Sequence, residues 1–241
     1  KTARPWRVEA REVDPEEVAF SEVTPERLEE IEALSQETDL VQRIIDSIAP
    51  HIVSDDRGDM HKLAISLQMF GGVKHDNRRG DINVFLVGSK GTGKSQLLSR
   101  AAELAPKSVE ASGKGATAAG LTATATQSQH GGWMLDAGAL VLASGGMASI
   151  DEFDKMADSV RQSMHEAMEN QEVPINKAGI NTTLTTETTV IAAANPKSGS
   201  FNRWDKLNEQ VEIGSPLLSR FDLIFGIGDE VNETKDSQIP K

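Results

Sequence analysis

Apolar positions along this chain follow one rhythm before about residue 80 and another after it. In the first part, "TPERLEEIEALSQ", "DLVQRIIDSIA" and "DMHKLAISLQMF" space them as helices do. The first of these opens with Thr24 placed as an N-cap, Pro25 at the first helical position and a glutamate in the first turn. The third stops at Gly71-Gly72. In the second part short apolar runs alternate with helical patterns. Strand candidates fall at residues 82–87, 108–111, 139–142, 147–150, 189–194 and 222–227, and helices near 94–105 and 154–170. That alternation predicts an α/β fold, a parallel sheet with helices on both faces. Residues 1–23 are polar, interrupted by proline and without period, and read as a linker.

Two stretches break the alternation. Residues 120–140 alternate around His130-Gly131-Gly132 and predict a hairpin beside a helix, with Trp133 packed at its base. Residues 173–195 predict a second hairpin, turning near Lys177-Ala178-Gly179 and running into a core strand. Two inserted hairpins are not expected of a small-molecule kinase. In "KMADSVRQSMHEAMEN", Met156, Val160, Met164 and Met168 lie four apart, which reads as a core stripe, with His165 a structural neighbour.

Between the strand at 82–87 and the helix at 94–105 stands "GSKGTGKS", residues 88–95. Gly88, Gly93, Lys94 and Ser95 carry the full spacing of a phosphate-binding loop. Glycines let successive backbone N–H groups turn inward, and the helix start adds partial positive charge. Lys94 suits the β- and γ-phosphates of a nucleotide, and the Ser95 hydroxyl suits Mg²⁺. The nucleotide-binding candidates are therefore Gly88, Ser89, Lys90, Gly91, Thr92 and Gly93, with Lys94, Ser95 and Gln96 of the following helix.

"GGMASIDEFDKM" ends an apolar run in Asp151-Glu152, and residues just beyond strand ends face the ligand crevice of such sheets. Asp151 is a candidate Mg²⁺ ligand. Glu152 is a candidate base for an attacking water, a group a kinase does not need. Asn195 closes "TTVIAAAN", where it either positions water or γ-phosphate or serves a turn before Pro196. Arg220 precedes the last strand. It is a surface arginine, a partner for Asp222, or an arginine finger for the transferring phosphoryl group.

Composition adds limits. The chain has 241 residues, enough for one large domain with a core, and no cysteine, so no disulfide or Cys-ligated zinc site belongs to it. Its lack of cysteine favours an intracellular setting, and its opening, without an initiating Met or a signal-peptide core, reads as starting mid-protein. No apolar run approaches the roughly 20 residues that span a bilayer. The net charge of −12 is concentrated: residues 9–40 hold twelve acidic and two basic side chains. Residues 41–241 carry only −5, so acidity does not exclude local contact with DNA.

Together these motifs resemble the AAA+ motor domain of the minichromosome maintenance (MCM) replicative helicases. The resemblance covers about residues 20–236 and is carried by "RGDINVFLVG", "SGKGATAAGLTA", "DAGALVLASGGMASIDEFDKM", "NKAGI", "IAAANPKSG" and "SPLLSRFDLIF", among other blocks. It implies an AAA+ P-loop NTPase core over residues 24–236, with residues 237–241 leading toward a lid that lies outside the chain. It implies ATP and Mg²⁺ at Lys94, Ser95, Asp151, Glu152 and Asn195. Arg220 would act in trans, with Arg79 a second trans candidate. The hairpins would project into the channel of a hexameric ring around DNA, with Lys177 as a basic tip.

Several positions depart from the family. Members usually carry Ala at Gly93, Asp-Pro at Ser89-Lys90, Gln at Asn170, an apolar residue at Ser149 and often Arg at Glu187. Residues 115–137 contain no Lys or Arg, and DNA affinity depends on phosphate neutralisation. The expectation is an ATP-driven DNA helicase motor, with other replication proteins as further partners and no membrane. It would work in an archaeal cytoplasm or a eukaryotic nucleus. The alternative is a nucleotide-binding paralogue with a structural or regulatory role and little unwinding.

Overall fold

The computed structural model describes residues 9–11, 24–52, 56–73, 79–127, 133–177, 180–202 and 204–228. In chain order they form β1 (Glu9–Arg11), α1 (Pro25–Ser35), α2 (Leu40–Ile48), α3 (Asp56–Phe70), β2 (Val84–Gly88) and α4 (Lys94–Leu104). There follow β3 (Ser108–Ser112), α5 (Ala118–Leu121), β4 (Ala123–Gln127), β5 (Trp133–Ala137), α6 (Ala139–Leu142) and β6 (Met147–Asp151). A short 3₁₀ turn (Phe153–Lys155) leads to α7 (Asp158–Asn170), β7 (Glu172–Lys177), β8 (Ile180–Thr185) and β9 (Thr189–Ala194). Then come α8 (Leu207–Gln210), α9 (Ser215–Leu218) and β10 (Leu223–Ile227).

The main sheet has the order β1-β3-β6-β9-β2-β10. From β3 to β10 its neighbours are parallel, and only β1 joins antiparallel. Period-2 alternation sends each inner strand to both faces. Phe85 and Val87 of β2 face one core with Val190, Ala192 and Ala194 of β9, while Val84, Leu86, Ile191 and Ala193 face the other. The first core is roofed by α7, whose Met164 and Met168 are buried with Met156 and Val160 ahead of them, as the stripe predicts. The second is roofed by α4 and α3 through Leu97, Leu98, Ala64 and Ile65. No helix among the described residues is long and apolar enough to cross a membrane.

The hairpins form as separate two-stranded sheets, β4–β5 and β7–β8. The turn at His130-Gly131-Gly132 and the pair Ala178-Gly179 lie outside the described residues. Thr24 caps α1 as expected, accepting a hydrogen bond from Arg27 N at 3.3 Å, with Pro25 in the first turn.

Four expectations need correction. Residues 139–142 are helical, not a strand: Leu142 N and Ala143 N donate back to Gly138 O and Ala139 O at 2.9 Å. A four-residue apolar run carries no period, and here Gly138 caps a single turn. The helix read over 154–170 is split, because Met156 and Ala157 are extended between the 3₁₀ turn and α7. Trp133 is not at the hairpin base. It pairs with Gln127, at the end away from the Ala123–Ala137 pair that joins the domain, and is 48% exposed. Within the stretch read as a linker, Glu9–Arg11 pairs with Ser108–Glu110 as an edge strand.

Three phenylalanines tie the functional segments together. Phe85 of β2, Phe153 after Asp151-Glu152 and Phe221 after Arg220 are all buried, with ring centroids 4.9–5.8 Å apart. Removing one ring leaves a cavity that the other two cannot fill. Phe85→Ala is expected to lower unfolding stability by about 3–5 kcal/mol in a denaturant titration. A loss near zero would show that the cluster contributes no packing.

Candidate functional site

Four parallel strands bring their C-terminal ends to one edge of the sheet. β2 delivers Gly88, β6 delivers Asp151, β3 delivers Ser112 in register with Asp151, and β9 leads into Asn195. All of the nucleotide candidates in cis therefore share this edge.

The loop after β2 turns through Gly91 (φ 86°) into Gly93 (φ 78°), which caps α4. Left-handed backbone costs an L side chain roughly 1–2 kcal/mol, so glycine suits Gly93 without strain. Lys94 is buried and folds back over the loop. Its Nζ donates to Gly88 O at 2.8 Å and Ser89 O at 2.6 Å, with Thr92 Oγ1 at 3.3 Å. Burial lowers the pKa of this ammonium, while the charges of Asp151 and Asp154 pull it back up. Lys90 is exposed at the loop, and Ser95 and Gln96 are exposed in the first turn of α4. Thr92 Oγ1 donates to Ser89 O at 2.9 Å, and Ser89 Oγ accepts from Phe201 N at 3.2 Å.

The Asp151-Glu152 turn is held tightly. Asp151 Oδ1 accepts from Glu152 N at 2.7 Å, and Glu152 itself sits at φ 49°, ψ 39°. Left-handed backbone at a residue with a long side chain is uncommon and clusters at functional sites. Gly113 makes the turn possible: a Cβ there would lie 2.4 Å from Glu152 O. Ser112 Oγ donates to Glu152 Oε2 at 3.2 Å, which fixes the carboxylate from the end of β3. Asp154 Oδ1 accepts from Asn195 N at 3.0 Å, joining the turn to the end of β9. Its side chain is nearly buried and also pairs with Lys155 at 2.9 Å, which raises the Lys155 pKa. Ser112, Gly113 and Asp154 were not singled out from the sequence. Their signal was position: two lie in "ASGKG" at a strand end, the third two residues beyond the paired carboxylates.

The donor set has a definite chemical capacity. A hydroxyl at Ser95 and a carboxylate at Asp151 suit Mg²⁺, which is commonly held by one or two protein groups together with substrate phosphates. A buried ammonium beside glycine-shaped backbone suits phosphate oxygens.

Arg79 and Arg220 lie elsewhere. β10 runs parallel to β2, with Leu223 opposite Val84 and Ile227 opposite Gly88. Arg220 therefore sits at the N-terminal end of β2, a strand length of roughly 17 Å from the loop. Its carbonyl accepts from Arg79 Nη2 at 3.2 Å and Asn83 Nδ2 at 2.9 Å. The partner of Asp222 is Arg79, at 2.8 Å, and not Arg220, whose Nη1 instead pairs with Glu169 Oε2 at 2.6 Å. Of the three readings of Arg220, the one that pairs it with Asp222 is thereby corrected. Lys177 ends β7 opposite Ile180, apart from both clusters in the β7–β8 hairpin. His165 Nε2 lies 3.6 Å from Glu169 Oε2 on the same helix.

The chain is similar in sequence to known proteins over nearly its whole length. The chain is 45% identical over 231 residues to the DNA replication licensing factor Mcm2 of Schizosaccharomyces pombe, covering 93% of this chain and 27% of that protein. It is 44% identical to MCM2 of Arabidopsis thaliana over 240 residues, 96% of this chain and 25% of the relative. Against Mcm5 of Dictyostelium discoideum it is 46% identical over 224 residues, 90% and 29% of the two chains. It thus spans about a quarter of the length of these relatives. The model of the MCM P-loop domain matches residues 27–241, and the chain belongs to that family.

Proposed function

We propose that this chain is the ATP-hydrolysing motor segment of a ring-shaped MCM DNA helicase whose nucleotide sites are shared between adjacent subunits. One observation carries the reading. The phosphate loop with its two carboxylates occupies one end of β2, and Arg220 with Arg79 occupies the other. An arginine that cannot reach its own loop is placed to serve a neighbour's.

On this reading Lys94 exchanges the carbonyls of Gly88 and Ser89 for phosphate oxygens, aided by the backbone of Ser89 to Gly93. Ser95 and Asp151 would hold Mg²⁺, which neutralises charge on the phosphates when bound. Gln96 and Lys90 flank the loop. Glu152 takes the proton of the attacking water. Its Oε2 already accepts from Ser112, which orients the carboxylate. Asn195 orients the water. Arg220, with Arg79 beside it, reaches the site of the next subunit. The relatives' name, DNA replication licensing factor, supports a role in DNA replication. On this reading the partners are DNA, further MCM subunits and other replication proteins, in a eukaryotic nucleus. Lys177 is the candidate DNA contact on the second hairpin.

A second reading keeps nucleotide binding but gives the subunit a structural or regulatory role. It is favoured by the first hairpin, where residues 115–137 lack Lys and Arg and Trp133 and Met134 are exposed. Unwinding assays with full-length protein separate the two.

Two outcomes are expected in full-length protein. Glu152→Gln binds ATP with unchanged affinity and loses about 10²–10⁴-fold in turnover, the usual cost of a missing general base. Lys94→Ala loses turnover altogether. Wild-type turnover in Glu152→Gln would remove that carboxylate from the proton transfer.

Subunit mixing tests the shared site. Arg220→Ala protein is expected to bind ATP and to hydrolyse it about 10³–10⁵-fold more slowly, as for other trans arginines. Mixed with Lys94→Ala protein it regains activity, because one kind of interface then holds an intact loop and an intact arginine. Absence of any recovery in rings shown to be mixed counts against sharing.

A further inference from the structure

We infer that Glu169 is a positioning residue for Arg220, fixing the orientation in which that arginine is offered to a neighbouring subunit. The inference rests on the shared-site reading and adds to it a residue from a different helix. Glu169 stands in the last turn of α7, and Arg220 follows α9, fifty-one residues later in the chain. Their side chains meet with Nη1 to Oε2 at 2.6 Å.

Arg220 is held at both ends. Its carbonyl is gripped by Asn83 Nδ2 and Arg79 Nη2, and its guanidinium by Glu169. Asn83 is buried at the start of β2, so the backbone grip is part of the core. The guanidinium itself is only partly used. A guanidinium carries five N–H donors. Here Nη1 meets Glu169, Nη2 approaches Ser219 Oγ at 3.4 Å, and Nε is buried with no hydrogen-bond partner. The side chain is 28% exposed. With Nε buried, a fork with spare Nη donors, locked on one side and partly open to solvent, is prepared to receive an anion.

Glu169 is suited to orient rather than to neutralise. Its side chain is 45% exposed, and pairs that exposed are screened by water. Their strength is modest, yet they remove rotamer freedom from a long side chain before binding, which is where arginine loses most entropy. His165 lies one turn earlier at 3.6 Å from the same oxygen, so Glu169 is itself flanked on its own helix.

The test uses full-length protein in its assembled ring, with Glu169→Gln, Arg220→Ala and the double variant. Glu169→Gln keeps the shape of the side chain and removes its charge. It is expected to lower kcat about 10- to 100-fold, the order that a misplaced reacting group costs, with KM and nucleotide affinity unchanged. The double variant should be no slower than Arg220→Ala alone, because both changes remove one interaction. Glu169→Asp should recover part of the loss. Mixed with Lys94→Ala subunits, Glu169→Gln protein should regain turnover per intact loop, at the interface where the Lys94→Ala subunit supplies an unaltered Glu169–Arg220 pair. Wild-type or faster turnover in Glu169→Gln, or defects that multiply in the double variant, would overturn the inference and leave the shared site standing. Full activity in Arg220→Ala would instead overturn the shared-site reading itself.

Discussion

Val84, Phe85, Leu86 and Val87 are fully buried, two toward each helical layer, so β2 is stable only with cover on both sides. Buried on both faces, the strand reads as a continuous apolar run, as strands of parallel sheets do. β9 and β10 flank it in parallel, and the same arrangement sets both of its ends. At one end the chain leaves through Gly88 into the phosphate loop. At the other, Asn83 binds the Arg220 carbonyl and accepts from Val190 N at 2.8 Å. One strand therefore fixes how far the loop lies from the arginine cluster. The proposal that neighbouring subunits share each site rests on that distance.

The polar groups around this strand act more by placing one another than by adding stability. Arg79 and Asp222 are 23% and 41% exposed, and such pairs contribute about 0–1 kcal/mol. What they contribute is geometry: Asp222 Oδ2 also accepts from Asn83 N, which registers the entry of β10 against β2. At the opposite edge, Gly113 admits the Glu152 carbonyl, and Ser112 takes one carboxylate oxygen. The charge of Lys94 is opposed by burial and supported by Asp151 and Asp154. The net charge of −12 has little bearing on any of this, because much of it lies between residues 9 and 40.

Much of this arrangement is legible in the amino-acid order, for reasons that are local. The apolar runs of β2 and β9, the loop spacing, the N-cap at Thr24 and the Met stripe of α7 each encode their structure within a few residues. The losses occur where local pattern is silent. Four apolar residues at Ala139–Leu142 fit a strand or a turn of helix equally well, and the cap at Gly138 decides. Trp133 has no partner that spacing could name, and the register of its hairpin carries it outward. The left-handed Glu152 depends on Gly113, which arrives from another strand. Pairings at long separation, Arg220 with Glu169 and Arg79 with Asp222, leave no trace in the sequence near either member.

The claim that each site needs two subunits is tested most directly by ATP turnover per subunit of the full-length protein across a dilution series, with assembly followed by sedimentation. The shared site requires turnover to collapse as rings dissociate, while ATP binding persists in the free subunits. Turnover per subunit that stays constant down to the monomer would contradict it.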